Sequence, residues 1–226
     1  MESVAEGVYR LGSRWVNWYV VDDDGELTVV DTGYPGYFGE LPEGLASIGR
    51  RIVDVQAILI THAHADHVGS AARVREESGA RVLAHTADAD VVRAGTPDPP
   101  PGFFANAWKP RFARYLVHAG TNGARSISGV ETVETFGDGD ALDVPGRPRV
   151  LHTPGHTPGH VALHLEDTGV LFSGDALVTL DTVSGRRGPR AIRWNDDPEQ
   201  AQASYERLRA LDVPLVLTGH GEPWRR

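Results

Sequence analysis

Thr61-His62-Ala63-His64-Ala65-Asp66-His67 follows directly on the apolar run Ala57-Ile58-Leu59-Ile60. Three imidazoles and one carboxylate fall within six residues, a density that soluble chains rarely show without a cation to hold. His62 and His64 are two apart, so on an extended segment both side chains leave on the same side. Asp66 and His67 open what reads as a helix over 68–78 and aim at a second point nearby. One short loop can therefore feed two adjacent metal ions.

Three further segments share a pattern, a buried strand followed by a turn that presents a ligand-type residue. They run from Val150 to His156 and on to His160, from Val170 to Asp175, and from Leu215 to His220. In open α/β sheets functional groups gather beyond the carboxyl ends of strands. The order Asp31-Thr32-Gly33, H-x-H-x-D-H, His156, Asp175, His220 resembles the metallo-β-lactamase fold superfamily. Around Thr153 to His160 the chain is similar to glyoxalase II-like thioesterases. Those add a C-terminal helical domain, which is not expected here, since six residues follow His220.

The resemblance implies an α/β fold, an αββα four-layer sandwich of two mixed β-sheets with helices outside and the site at one edge. It also implies a ligand set. His62, His64 and His156 would bind one metal, Asp66, His67 and His220 a second, with Asp175 bridging. Asp31 and His160 would orient ligands from behind. His85, His118, His152 and His164 are left as structural or surface residues, with His164 facing solvent.

Composition narrows the chemistry. The chain has no cysteine, so thiolate ligands and a cysteine nucleophile are both excluded. A formal charge of −9 argues against a nucleic-acid partner. The first ten residues hold no apolar signal region, and no apolar run reaches a membrane span, so a cytoplasmic protein without membrane contact is expected.

The whole chain, 1–226, is expected to be one domain interrupted at 95–129. That stretch opens on Thr96-Pro97-Asp98-Pro99-Pro100-Pro101, which cannot be regular structure, and carries Phe103, Phe104, Trp108, Phe112 and Tyr115. It reads either as a lid over the site or as a surface excursion packing its aromatics on the domain. Arg186, Arg187, Arg190 and Arg193 read either as a clamp for a substrate anion or as a solvated basic loop. Local signals place strands at 17–21, 27–30, 52–60, 81–84, 141–144, 149–153, 161–165, 170–173 and 213–217. Thr86 is expected to cap a short helix, and Asp197-Pro198-Glu199 to start a longer one.

The function expected is a metal-dependent hydrolase of a small molecule. Two divalent ions, Zn2+ by ligand type with Mn2+ or Fe2+ also allowed, would generate a bridging hydroxide that attacks an ester, thioester, lactone or related bond. Asp66 and Asp175 are the candidate catalytic carboxylates. Two alternatives stay open: a mononuclear iron oxidoreductase like the persulfide dioxygenases, and a non-catalytic metal-binding or sensing module.

Overall fold

A computed structural model describes residues 1–95, 99 and 102–226. The first sheet has seven strands in sequence order: β1 (Glu2–Ala5), β2 (Val8–Gly12), β3 (Asn17–Asp23), β4 (Glu26–Val30), β5 (Val55–Ile60), β6 (Arg81–His85) and β7 (Glu134–Phe136). Pairing is antiparallel from β1 to β4 and parallel from β4 to β7. Helices make the parallel crossovers: α1 (Glu40–Ser47), the pair α2 (Ala65–Val68) and α3 (Ala71–Ser78), α4 (Ala89–Ala94) and α5 (Pro110–Thr121). The second sheet comprises β8 (Arg149–His152), β9 (Val161–Leu165) and β10 (Val170–Gly174), then β13 (Leu215–Thr218) and β14 (Trp224–Arg225). Between β10 and β13 lie a hairpin, β11 (Val178–Leu180) and β12 (Arg187–Arg190), and α6 (Pro198–Ala210).

Strand periodicity explains the layering. On β5, Ala57 and Leu59 face the second sheet, while Ile58 and Ile60 face the helices. On β10, Val170 and Phe172 face the first sheet, while Leu171 faces α6. The central layer packs Tyr19, Val30, Leu59 and Phe136 against Val150, Leu163, Phe172 and Leu217. Burying each such side chain stabilises the fold by about 1.5–3 kcal/mol. Helices flank both sheets, so the αββα sandwich of two mixed sheets is the architecture.

Three local expectations are corrected. Residues 52–54 form a single 3₁₀ turn, and the strand begins at Val55. The helix expected over 68–78 is broken. Thr32 donates through its backbone N (2.7 Å) and Oγ1 (3.0 Å) to the His67 carbonyl, drawing it out of the helical ladder. Gly69 then passes against Gly33 and Pro35 so closely that any Cβ would collide with the Gly33 carbonyl. Residues 141–144 make only one bridge, Ala141 to Arg149.

The Thr96–Pro101 segment, apart from Pro99, lies outside the described residues. Beyond it the chain forms a 3₁₀ turn, Phe103–Asn106, and then α5, which starts on Pro110 and buries Phe112, Tyr115 and Ala119 along one stripe. At α6, Asp197 caps as expected, accepting from Glu199 N (3.1 Å) and Gln200 N (3.0 Å).

Candidate metal centre

The seven expected residues come from four separate loops and meet in one place. His62, His64 and His156 form one group, Asp66, His67 and His220 another, and His62, His67 and Asp175 a third that joins the two. Within each group, one ligand atom per residue lies within 4.8 Å of the others. Asp175 Oδ2 is 3.0 Å from His220 Nε2 and 3.5 Å from His156 Nε2, and its Oδ1 is 3.6 Å from His67 Nε2.

The outer contacts decide which ring nitrogen is free. His67 Nδ1 donates to Asp31 Oδ2 (2.8 Å), His156 Nδ1 donates to the Trp194 carbonyl (2.8 Å), and His220 Nδ1 donates to the Trp15 carbonyl. Each turns its Nε2 toward the centre, where that of His156 also meets His64 Nδ1 at 2.9 Å, and a ring held by its Nδ1–H is oriented to offer Nε2 to a metal once that atom carries no proton. His62 Nε2, His67 Nε2 and Asp175 Oδ1 are buried with no hydrogen-bond partner. Buried polar atoms without partners are costly, and three of them converging on one point fit a cation. The all-nitrogen-and-oxygen donor set suits a borderline or hard divalent ion.

Asp31 occupies the left-handed region (φ 58°), a conformation that a non-glycine residue holds only when its surroundings insist. Its carboxylate supplies the reason. Besides His67, it accepts from Thr61 N and Thr61 Oγ1, both at 2.8 Å. His160 cannot be a ligand, because its Nδ1 faces Thr153 Oγ1 (2.8 Å) and its Nε2 accepts from Asp175 N (2.9 Å). It holds Asp175 from behind instead. Gly219 must lack a side chain, since a Cβ there would strike Asp175 Oδ1 and sit 2.8 Å from His67 Cε1.

Burial opposes charge on His67, yet Asp31, Asp175 and Asp66 together raise it to about 10. His220 likewise rises to about 9 against burial, chiefly through Asp175. Burial would push Asp175 up, but His220 and His67 hold it well below the ordinary carboxylate range. His62, His64 and His160 are held well below 6.5 by burial and by neighbouring imidazoles, and His156 is lowered by burial.

A pH prediction follows for protein stripped of metal. His67 and His220 are raised, so the stability they contribute is complete below 6.5 and is lost as pH climbs through 9 and 10. The lowered histidines contribute stability above 6.5 that is lost as pH falls. Tm of the chelator-treated protein should therefore decline on both sides of a near-neutral maximum. An alkaline limb that stays level through pH 10 would contradict the proton-bearing His67 and His220.

Sequence reading missed Asp88. This buried carboxylate accepts from Ala63 N (2.9 Å) and Thr157 Oγ1 (2.7 Å) through Oδ2, and from Gly159 N (2.7 Å) through Oδ1. Ala63 sits between His62 and His64, and Thr157 follows His156. One side chain thus pins both loops of the first ligand group. Asp88, and not Thr86, precedes α4, while Thr86 Oγ1 turns to the Phe136 carbonyl. The available signal was its place just past the end of β6, a parallel strand.

The remaining expectations divide. Among the described residues, His85, His118, His152 and His164 join none of the three groups. His85 and His152 stack on each other at 4.2 Å, and His118 Nε2 meets Tyr37 Oη at 2.6 Å. His164 is half-buried and not fully solvent-facing. Arg193 pairs with Asp181, and Arg190 donates to the carbonyls of Gly188 and Arg187, so these two are occupied within their own loop. The described stretch 102–121 does reach the site: Tyr115 Oη donates to Asp66 Oδ2 (3.1 Å), and Trp194 packs on Phe103 and Phe112 at 4.8 and 5.0 Å between ring centres. Burial and the Asp66 charge push the Tyr115 hydroxyl well above its usual range, so it stays a donor.

Known proteins are similar to this chain in sequence and in fold. The probable metallo-hydrolase YflN of Bacillus subtilis is 29% identical, over 97% of this chain and 85% of its own length. A hydroxyacylglutathione hydrolase of Cereibacter sphaeroides is 31% identical over 87% of this chain, which spans 58% of that protein. A crystal structure of a metallo-beta-lactamase family protein from Thermus thermophilus superposes with a TM-score of 0.67 at 30% identity, covering 99% of this chain and 76% of that one. A subclass B3 metallo-beta-lactamase from a soil metagenome library reaches a TM-score of 0.69 at 19% identity, covering 97% and 78%, a likeness of fold alone. The profile of the metallo-beta-lactamase superfamily matches residues 13–220, a span that begins beside Trp15, whose carbonyl holds His220, and ends on His220 itself; the chain belongs to that superfamily.

Proposed function

We propose that the protein is a dinuclear, zinc-dependent hydrolase of a small acyl compound, an ester, thioester or lactone. One observation carries the reading: two ligand groups, His62/His64/His156 and Asp66/His67/His220, share the carboxylate of Asp175 between them. Membership of a family of metal-dependent hydrolases supports the reaction type. The name of one relative, a hydroxyacylglutathione hydrolase, favours acyl chemistry.

Divalent ions at such a site supply Lewis acidity and make hydroxide available from water near neutral pH. The chain's own residues do the rest. Asp175 sets the two ligand groups at a fixed separation. Asp66 keeps one oxygen on Tyr115, and we assign its Oδ1 as the acceptor for the proton of the attacking water. The aromatic side chains Phe103, Phe112, Tyr115, Trp15 and Trp194 belong to one apolar cluster, and we assign residues 103–121 as the cover that keeps bulk water from the centre. In a dry site, charge developing on the substrate is stabilised far more strongly than in water.

Elemental analysis of protein purified without chelator or histidine tag should find about two zinc ions per chain, the number this reading requires. Acyl-ester, thioester and lactone turnover should disappear on chelation and return with zinc. One iron per chain with oxygen uptake would replace the hydrolase by an oxidoreductase, and well-folded protein that takes up no metal would end the reading.

A further inference from the structure

Among the described residues, Tyr115 is the member of α5 that hydrogen-bonds a candidate ligand. Its hydroxyl lies 3.1 Å from Asp66 Oδ2, and that same oxygen is 3.5 Å from His220 Nε2. Behind it, Tyr34 Oη donates to Tyr115 Oη at 3.0 Å. A phenol has one proton, so Tyr115, accepting from Tyr34, must spend its own on Asp66. Both tyrosines are buried, Tyr34 2% and Tyr115 4% exposed. Phe112 stacks on the Tyr115 ring at 5.6 Å and Trp15 meets it edge-on at 5.8 Å, so the ring cannot swing away. A neutral donor of this kind fixes the orientation of a carboxylate without cancelling its charge.

We infer that Tyr115, backed by Tyr34, is a positioning residue for the second cation: it sets Asp66 for binding beside His67 and His220. The 103–121 arm thereby completes the second ligand group, while the first group, His62, His64 and His156, does not depend on the hydroxyl. This inference rests on the two-cation reading above.

The test is calorimetric titration of zinc into chelator-stripped full-length protein, which reads binding and not turnover. Wild type should show two binding events, and Asp66→Asn marks the one that belongs to the second group. Tyr115→Phe should weaken that event by about tenfold, within the range for partners of metal ligands, and leave the other unchanged. Tyr34→Phe, which keeps the Tyr115 hydroxyl but not its backing, should weaken the same event less. Adding Tyr115→Phe to Asp66→Asn should cost nothing further, because the hydroxyl acts through that carboxylate. Equal loss in both events, or none in either with two ions bound, would overturn the role of Tyr115 and leave the two-cation reading standing. Wild type binding one ion or none would overturn that reading and this inference with it.

Discussion

Asp175→Ala should abolish hydrolysis, by at least about 100-fold, since even partners of metal ligands cost 10–100-fold when removed. Asp175 is the carboxylate that faces both candidate groups, lying within 3.6 Å of His156, His67 and His220. The zinc content should fall below two per chain at the same time. The metal-free protein should also lose stability, because Asp175 is the counter-charge for His67 and His220. Breaking a buried pair from one side costs about 3–5 kcal/mol. Urea denaturation of chelator-treated protein at neutral pH reads that loss, and the alkaline limb of its pH profile should shift toward neutrality. Asp175→Asn keeps the shape and removes the charge, so it should resemble alanine in activity and metal content. Full turnover and undiminished metal in both variants would refute the shared-carboxylate site.

Asp88→Ala should come second in magnitude, although its carboxylate joins none of the three ligand groups. The substitution strands two buried backbone N–H groups and one hydroxyl: Ala63 N, Gly159 N and Thr157 Oγ1. Each unsatisfied donor costs about 1–3 kcal/mol, so a total of roughly 3–5 kcal/mol is expected once the loops relax. Zinc affinity of the first ligand group should fall by about 10–100-fold, as the backbones carrying His62, His64 and His156 loosen. Asp88→Asn separates stability from geometry. Its amide oxygen in the place of Oδ2 keeps Ala63 N and Thr157 Oγ1, one bond to each loop, and gives up only Gly159 N, so a smaller loss than in Asp88→Ala is expected. A variant with wild-type Tm and wild-type zinc titration would show that the loops hold themselves.

The sequence by itself determined the candidate donor set and the layer pattern, because both are local. Alternation on β5 and β10 is a period-two property of the chain and needs no partner to be read. His62, His64, Asp66 and His67 announce themselves because six residues of one loop carry all four. His156, Asp175 and His220 were legible only as a series, each after its own strand. The α6 start was legible because a cap and a proline act on the nearest backbone N–H groups.

What stayed hidden depends on neighbours far along the chain. Asp88 binds residues 25, 69 and 71 positions away, and Tyr115 reaches Asp66 across 49. An aspartate before a short helix looks like a cap until the packing of two loops shows what its oxygens accept. The helix after His67 was misread for the same reason, since the break at Gly69 is imposed by Thr32, Gly33 and Pro35 from another strand end. Which side chains of 103–121 turn inward was likewise decided by packing, in that Phe112 and Tyr115 are buried against Trp194 and Trp15. Residue types and their local period fix which groups can bind a cation. Only the sandwich, by bringing four strand ends to one edge, decides which nitrogen each histidine presents and which residues hold it there.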